Sequence, residues 1–336
     1  MPKALFAERK KMPWGCLLIF VIFIIVIAGG LFLNSALNSY PKKERVMLTV
    51  PSLPDRLENL RLLHVSDLDG RLFGDRQKSL TDLIKSDNYH AVFVTGDITD
   101  KNGSPNAMLT LMEGLPKDVP VFFVAGDEDP KAQGFENLPA WVATLKSAGA
   151  TYVDRPIKWE VNKSVVWILP ADLLTADSEA LRFSLNEQGL GNSYGMQIVQ
   201  ALDNARGEML PEHSYIAISH VPVSQETLAY LNTQDGENIR MQFFPGRLQV
   251  ILSGHLNRGQ FLLPGFGALY SPMTVSSPAG GFFPDDNLIS GKINMRGVVQ
   301  HISPGLGVSE SYPKLLRMRL FNPPTISLLV LTKDFY

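Results

Sequence analysis

The chain has a single cysteine, Cys16, and it lies inside an apolar run. That excludes an intramolecular disulfide and a metal site built from several thiolates. Charge of one sign is not in excess either: 31 Lys and Arg stand against 33 Asp and Glu, for a net charge of −2. Nothing in that balance calls for nucleic acid as a partner. Histidine is scarce, with six in all (His64, His90, His213, His220, His255 and His301), so imidazole could hold few metals. No short-period repeat, low-complexity tract or heptad run occurs. What is present is core material. With 336 residues, 45% hydrophobic and 19% charged, the chain can bury a large globular core.

One stretch, Trp14 to Leu33 (WGCLLIFVIFIIVIAGGLFL), is apolar throughout. About 20 such residues are what an α-helix needs to cross a bilayer. Arg9, Lys10 and Lys11 flank it closely on one side, Lys42, Lys43 and Arg45 more distantly on the other. The positive-inside rule then places residues 1–13, a short basic tail, in the cytoplasm. The rest becomes an outward-facing domain on a single-pass cell-membrane anchor at 14–33. A cleaved signal peptide is the competing reading, because Ala28-Gly29-Gly30 offers small residues at a cleavage-like spacing. The apolar run continues past that point, which favours an anchor. Cys16 stands at the start of the run, where a lipoprotein signal would not put it. Residues 34–58, with Pro41, Pro51 and Pro54, read as a linker, and 59–336 as one large domain.

Within that domain three aspartates, Asp67, Asp97 and Asp127, recur every thirty residues, each just after an apolar run: LLHVSDLD, VFVTGDITD and VFFVAGDED. Short runs rich in β-branched and aromatic residues that end in polar turns read as buried strands. A thirty-residue period is one strand–helix–strand unit of a parallel sheet, whose ligand-binding residues lie at the carboxyl ends. Two further runs, AISHVP (217–222) and ILSGHLN (251–257), end in histidine. Three Asp and two His at strand ends point to metal-dependent hydrolysis, since carboxylates packed together repel unless cations neutralise them.

Between the strands the pattern predicts helices near 76–87, after Ser104 as N-cap with Pro105 in the first position, at 138–149 closed by Gly149, and at 193–206. Short strands follow from 151, and GVVQHIS (297–303) and TISLLVLT (325–332) read as strands. Residues 272–293, rich in Pro, Gly and Ser, read as a long loop and a lid. The fold class expected is α/β, a sandwich of two mixed sheets flanked by helices and preceded by one transmembrane helix. His64 reads as a hydrogen-bonded core residue, and His90, His213 and His301 as solvated or structural. Asp100 and Asp129 read as holding loop backbone.

The motifs Asp67-Leu68-Asp69, Gly96-Asp97-Ile98-Thr99-Asp100, Gly126-Asp127-Glu128-Asp129, His220 and Gly254-His255-Leu256-Asn257 occur in that order. Together they resemble the signature of the calcineurin-like metallophosphoesterases (D-x-H, G-D-x-x-D, G-N-H-[DE], H, G-H-x-H), and in particular a membrane-anchored bacterial branch. The resemblance implies up to two divalent ions, Mn, Mg, Fe or Zn, about 3.5–4 Å apart. A metal-activated hydroxide between them would hydrolyse a phosphodiester or pyrophosphate bond, some relatives acting on substrates of the cell envelope. One metal would be held by Asp127, His220, His255 and the bridging Asp97. The other would be held by Asp67, Asp69, Asn257 and Asp97. Asp97 and Glu128 would take catalytic roles, as bridge and as acid for the leaving group.

Four positions depart from the family pattern. Asp69 and Asn257 stand where it has metal-binding histidines, Asp127 where it has Asn, and Glu128 where it has the leaving-group His. The set of Asp67, Asp69, Asn257 and Asp97 becomes all oxygen, which suits Mg, Ca or Mn, while the set with His220 and His255 suits Mn, Zn or Fe. Adding Asp69 and Asp127 lowers the charge of shell plus metals from about +2 to about zero. Such a centre keeps cations but activates water less. Arg71 and Arg258 would restore some positive potential if they faced it. The alternative is a catalytically inactive member of the fold, a membrane-tethered binding or scaffold module.

Overall fold

The computed structural model describes residues 14–131, 137–230, 248–271, 281–295, 297–309 and 314–333. A 26-residue helix, α1 (Trp14–Ser39), precedes two six-stranded sheets. The first has the order β1 (Lys42–Thr49), β16 (Thr325–Thr332), β2 (Arg61–Val65), β3 (Ala91–Thr95), β4 (Val121–Val124), β5 (Thr151–Tyr152). The second has the order β14 (Gly291–Met295), β15 (Val298–Ile302), β9 (Leu248–Ser253), β8 (Ser214–Ile218), β7 (Ser164–Pro170), β6 (Ile157–Val161). Two small hairpins, β10 (Leu262–Leu263) with β11 (Gly267–Ala268) and β12 (Tyr270–Ser271) with β13 (Gly281–Phe282), lie outside them.

Each sheet is parallel where it matters for a site: β2, β3, β4 and β5 run together, as do β7, β8, β9 and β15. Antiparallel pairs (β16 with β2, β14 with β15, β6 with β7) make both sheets mixed. The central strands are buried on both faces, so their sequences are nearly continuous apolar runs. In β3, Ala91 and Phe93 join the core between the sheets, while Val92 and Val94 face the helix layer. In β8, Ile216 and Ile218 join that same inner core, and Tyr215 and Ala217 pack with Leu202 and Ala205 of helix α5 (Tyr194–Glu208). Helices α2 (Lys78–Ile84), α3 (Asn106–Glu113) and α4 (Ala140–Ser147) cover the first sheet through Leu80, Leu111 and Leu145. The expected architecture, two mixed sheets face to face with helices outside and a long apolar helix in front, is the one observed.

Three local expectations need correction. Residues 34–58 are not a linker throughout: Asn34–Ser39 continue α1, and Lys42–Thr49 pair in parallel with the whole of β16. Four consecutive charged residues, Lys42 to Arg45, hide this strand because it lies at a sheet edge and needs one apolar face only. Helix α3 starts one residue later than expected, with Pro105 at the cap and no side-chain cap bond. Residues 272–280 of the expected loop lie outside the described residues, but its remainder forms β13, a helical turn at Asp286–Ile289 and edge strand β14.

Candidate metal centre

The parallel strands deliver their polar termini to one edge of the sandwich. Asp67, Asp97, His220 and His255 each stand two residues beyond β2, β3, β8 and β9, and Asp127 stands three beyond β4. The backbone there is strained. Asp67, Asp69, Asp97, His255 and Asn257 all have φ between 47° and 72°. Left-handed backbone costs a non-glycine residue about 1–3 kcal/mol, and such outliers gather at functional sites. Gly96 makes the closest approach possible: a Cβ on it would lie 2.4 Å from His220 Nδ1.

Ligand atoms of Asp97, Asp127, His220 and His255 all lie within 4.8 Å of one another. His220 Nε2 is 2.7 Å from Asp127 Oδ1 and 3.2 Å from Asp97 Oδ2, and His255 Nδ1 is 3.1 Å from both Asp127 Oδ1 and His220 Nε2. The Nδ1–H of His220 donates to the Thr95 carbonyl at 2.8 Å. That contact fixes the ring and turns Nε2 toward the cluster as the atom that could ligate a cation. A second group, Asp69, Asp97 and Glu128, meets the same 4.8 Å limit and shares Asp97 with the first.

Asp67 belongs to neither group, and Asn257 packs beside it. The Asp67 carboxylate accepts the His255 backbone N–H at 3.0 Å, the Ser66 hydroxyl and the Asn257 Nδ2. Arg319 Nη1 donates to Asn257 Oδ1 at 2.8 Å. Because arginine only donates, the oxygen is the atom facing it, and the amide nitrogen is what Asn257 turns toward the centre. The ligand oxygen expected of Asn257 is therefore engaged elsewhere. Glu128 stands among carboxylates and accepts the Ser309 hydroxyl.

Electrostatics mark the two groups differently. Hydrogen bonds from His220 and His255 hold the Asp127 carboxyl far below the usual range. His220 rises well above an ordinary imidazole: burial opposes its charge, but Asp127 and Asp97 prevail. Burial pushes Asp67 up to about 6, with Asp97 adding to the rise and His220 opposing it. Burial, then the charges of Asp67, Asp97 and Glu128, hold Asp69 well above the carboxylate range. Asp69 Oδ2 and His255 Nε2 are buried without a hydrogen-bond partner among the described residues. Crowded carboxylates and orphaned acceptors are what a divalent cation satisfies, so the donor set fits one.

Other residues fall as structural supports. Asp129 accepts from Ile98 N, Thr99 N, the Thr99 hydroxyl and Gly126 N, and Asp100 accepts from Asn102 N and Ser104 N. Arg258 donates to Glu44 at 3.1 Å, and Arg71 donates to the Leu306 and Asn38 carbonyls, so neither is spent on a carboxylate of the centre. The residue missed by sequence reasoning is Arg319. It is fully buried, donates to Asn257, Gly307, Pro304 and Asn322, and has its pKa lowered to about 9, chiefly by burial. Nothing in the basic tract RMR (317–319) distinguishes it from a surface arginine.

The profile of the calcineurin-like phosphoesterases matches residues 60–258. No curated protein matches the chain. The solved phosphopantetheinyl hydrolase from Mycobacterium tuberculosis is similar at 14% identity and a TM-score of 0.37, over 74% of this chain and 91% of that one. That likeness is too distant to bear on function. The profile match spans every strand end from Asp67 to His255, and the same residues converge on a cluster able to hold divalent metal. The chain belongs to the calcineurin-like phosphoesterase family.

Proposed function

We propose that the protein is a membrane-tethered, metal-dependent phosphoesterase that hydrolyses a phosphodiester or pyrophosphate bond. The observation that carries this reading is the position of Asp97. It is the one residue common to the imidazole-containing group and the all-carboxylate group, as a bridge between two cations must be. Bound there, divalent cations would supply charge to withdraw electrons from water and from phosphoryl oxygens. The chain's own part is to hold that arrangement. Thr95 orients His220, the His255 backbone N–H and Ser66 orient Asp67, and Ser309 holds Glu128. Hydrolysis forms one P–O bond from water and breaks another, and the departing oxygen takes a proton from Glu128 or solvent.

The all-carboxylate group favours a second reading, an inactive member of the fold that binds one cation or none, because it lacks both imidazole and a histidine acid. Metal content and hydrolysis of bis(p-nitrophenyl) phosphate and p-nitrophenyl phosphate, with Mn or Mg added, separate the two. The enzyme reading expects bound metal and turnover that Asp97→Asn abolishes. Absence of both would leave the inactive reading. The combined change Asp69→His, Glu128→His and Asn257→His should raise turnover if excess negative charge is what limits it.

A further inference from the structure

The end of the apolar helix is built into the rim of the metal centre. Asn34, buried within an otherwise exposed helix, donates from Nδ2 to the Arg319 carbonyl at 2.9 Å and accepts the Phe321 N–H at 2.7 Å. One turn later Asn38 Nδ2 reaches the same carbonyl at 2.7 Å, and Arg71 Nη2 donates to the Asn38 carbonyl at 2.6 Å. The guanidinium of that Arg319 holds Asn257 and Gly307. A cavity of about 600 Å³ lies between Asn34, Ser35 and Asn38 of α1 and Asp69, Arg71 and Arg319 of the domain. Asp69 thus belongs both to this cavity and to the carboxylate group of the centre.

Depth follows from helix geometry. The twenty residues Trp14–Leu33 rise about 30 Å at about 1.5 Å each, which is the hydrocarbon thickness of a bilayer. With Trp14–Leu33 across the hydrocarbon, Asn34 to Ser39 would add about 9 Å more, within the headgroup layer, and would set the cavity they wall at that depth. Arg71 and Arg319 spend their N–H groups on carbonyl and amide oxygens, and Asp69 is the carboxylate that faces them across the cavity, so its wall carries both signs of charge. The surface around it is apolar as well. Leu316 and Met318 are 44% and 37% exposed. The β10–β11 hairpin, joined to this segment through Leu262 N to the Leu320 carbonyl, exposes Phe266 by 80%, and Phe282 and Phe283, tied to that hairpin's end through Phe283 N to the Leu269 carbonyl, are 78% and 63% exposed. Exposed aromatic and aliphatic side chains on the segments that hold the end of α1, and on the hairpin bonded to them, suit a membrane interface.

We infer that the substrate is a membrane-resident phosphoester, an amphiphile whose phosphate lies at headgroup depth in the leaflet facing the domain. It enters between the last turn of α1 and Arg71, with Leu316, Met318 and the three phenylalanines resting in the interface. One water adds across one P–O bond, and the lipid part never leaves the bilayer. This inference rests on the phosphoesterase reading. The test uses the full chain in phosphatidylcholine vesicles carrying a dialkylglycerol p-nitrophenyl phosphodiester, with water-soluble ethyl p-nitrophenyl phosphate as comparator. Confinement in the plane should give the lipid diester a kcat/KM at least roughly tenfold higher. Its rate should also fall as phosphatidylcholine dilutes it in the surface at constant bulk concentration. A nitroxide at Ser35→Cys, in a Cys16→Ser background, should report headgroup depth. Equal cleavage of both diesters, or indifference to surface dilution, overturns the inference and leaves the phosphoesterase standing. Cleavage of neither overturns both, and a label at hydrocarbon depth or in bulk water overturns the inference by itself.

Discussion

Two pairs of histidines meet in this molecule, and their surroundings give them opposite chemistry. His220 and His255 lie beyond the ends of β8 and β9 with ring centroids 4.9 Å apart, while His64 of β2 and His301 of β15 lie between the sheets at 5.0 Å. The first pair has Asp127 at 2.7 and 3.1 Å and Asp97 at 3.2 Å, and those carboxylates raise His220 against the cost of burial. The second pair shares an Nδ1 to Nδ1 contact of 2.8 Å, has Thr95 Oγ1 at 2.9 Å from His64 Nε2 and, among the described residues, one carboxylate, Glu44, 3.9 Å from His301. Burial therefore prevails and lowers both His64 and His301. An imidazole becomes a candidate metal ligand or a neutral core bond according to whether the strand ends before it or continues through it.

The sharpest way to break this comparison is to remove one member of each pair. His220→Gln should cut metal content and lower turnover by more than about 100-fold, above what supporting residues of metal sites cost. His64→Gln should keep its metal and lose about 1–3 kcal/mol of stability from the disturbed buried hydrogen bonds. Metal analysis and urea unfolding read the two effects, and loss of metal in His64→Gln would erase the distinction. Gly307→Ala probes the side of the centre that has no imidazole. A Cβ there would lie 2.2 Å from Asp69 Oδ2. Displacement of that carboxylate should lower affinity for one of two cations by roughly tenfold while the His220 side keeps its own. Titration calorimetry with Mn would show it, and two unchanged sites would refute it.

Acid sensitivity sharpens the same contrast. The lowered pKa values of His64 and His301 mean that the unfolded chain binds more protons than the folded one below the ordinary histidine value. Stability is retained above about pH 6.5 and falls as pH drops from there toward the depressed folded values, by up to about 1.4 kcal/mol per unit for each histidine. In urea unfolding between pH 7 and 5, His64→Leu should flatten this limb, whereas an unaltered slope would remove His64 from the account. The smallest effect belongs to Arg258→Gln, which deprives Glu44 of one partner. The Arg258–Glu44 pair is partly exposed, so the change should be within about 1 kcal/mol, read as a thermal shift.

Much of this was legible in the chain. The aspartate ladder and the two histidine-ending runs locate the strand ends because doubly buried parallel strands must be apolar and their termini polar. β1 was not legible: Lys42–Arg45 read as a charged tract, and only the distant β16 supplies the partner that makes them a strand. Asn257 and Glu128 sit at motif positions, yet their roles depend on which atom a neighbour claims. Arg319, sixty-two residues away, takes the Asn257 oxygen, and no spacing rule encodes that contact.

The sequence by itself determined the layer architecture, the long apolar helix and the set of metal-type residues, because hydrophobic periodicity and strand-end polarity are local properties. Tertiary structure alone decided which of those residues share a cation-sized space, which histidines are neutral, and that α1 ends against Arg319 beside Asp69. Those outcomes depend on distances of a few ångströms between segments far apart in the chain, where desolvation and charge set the chemistry.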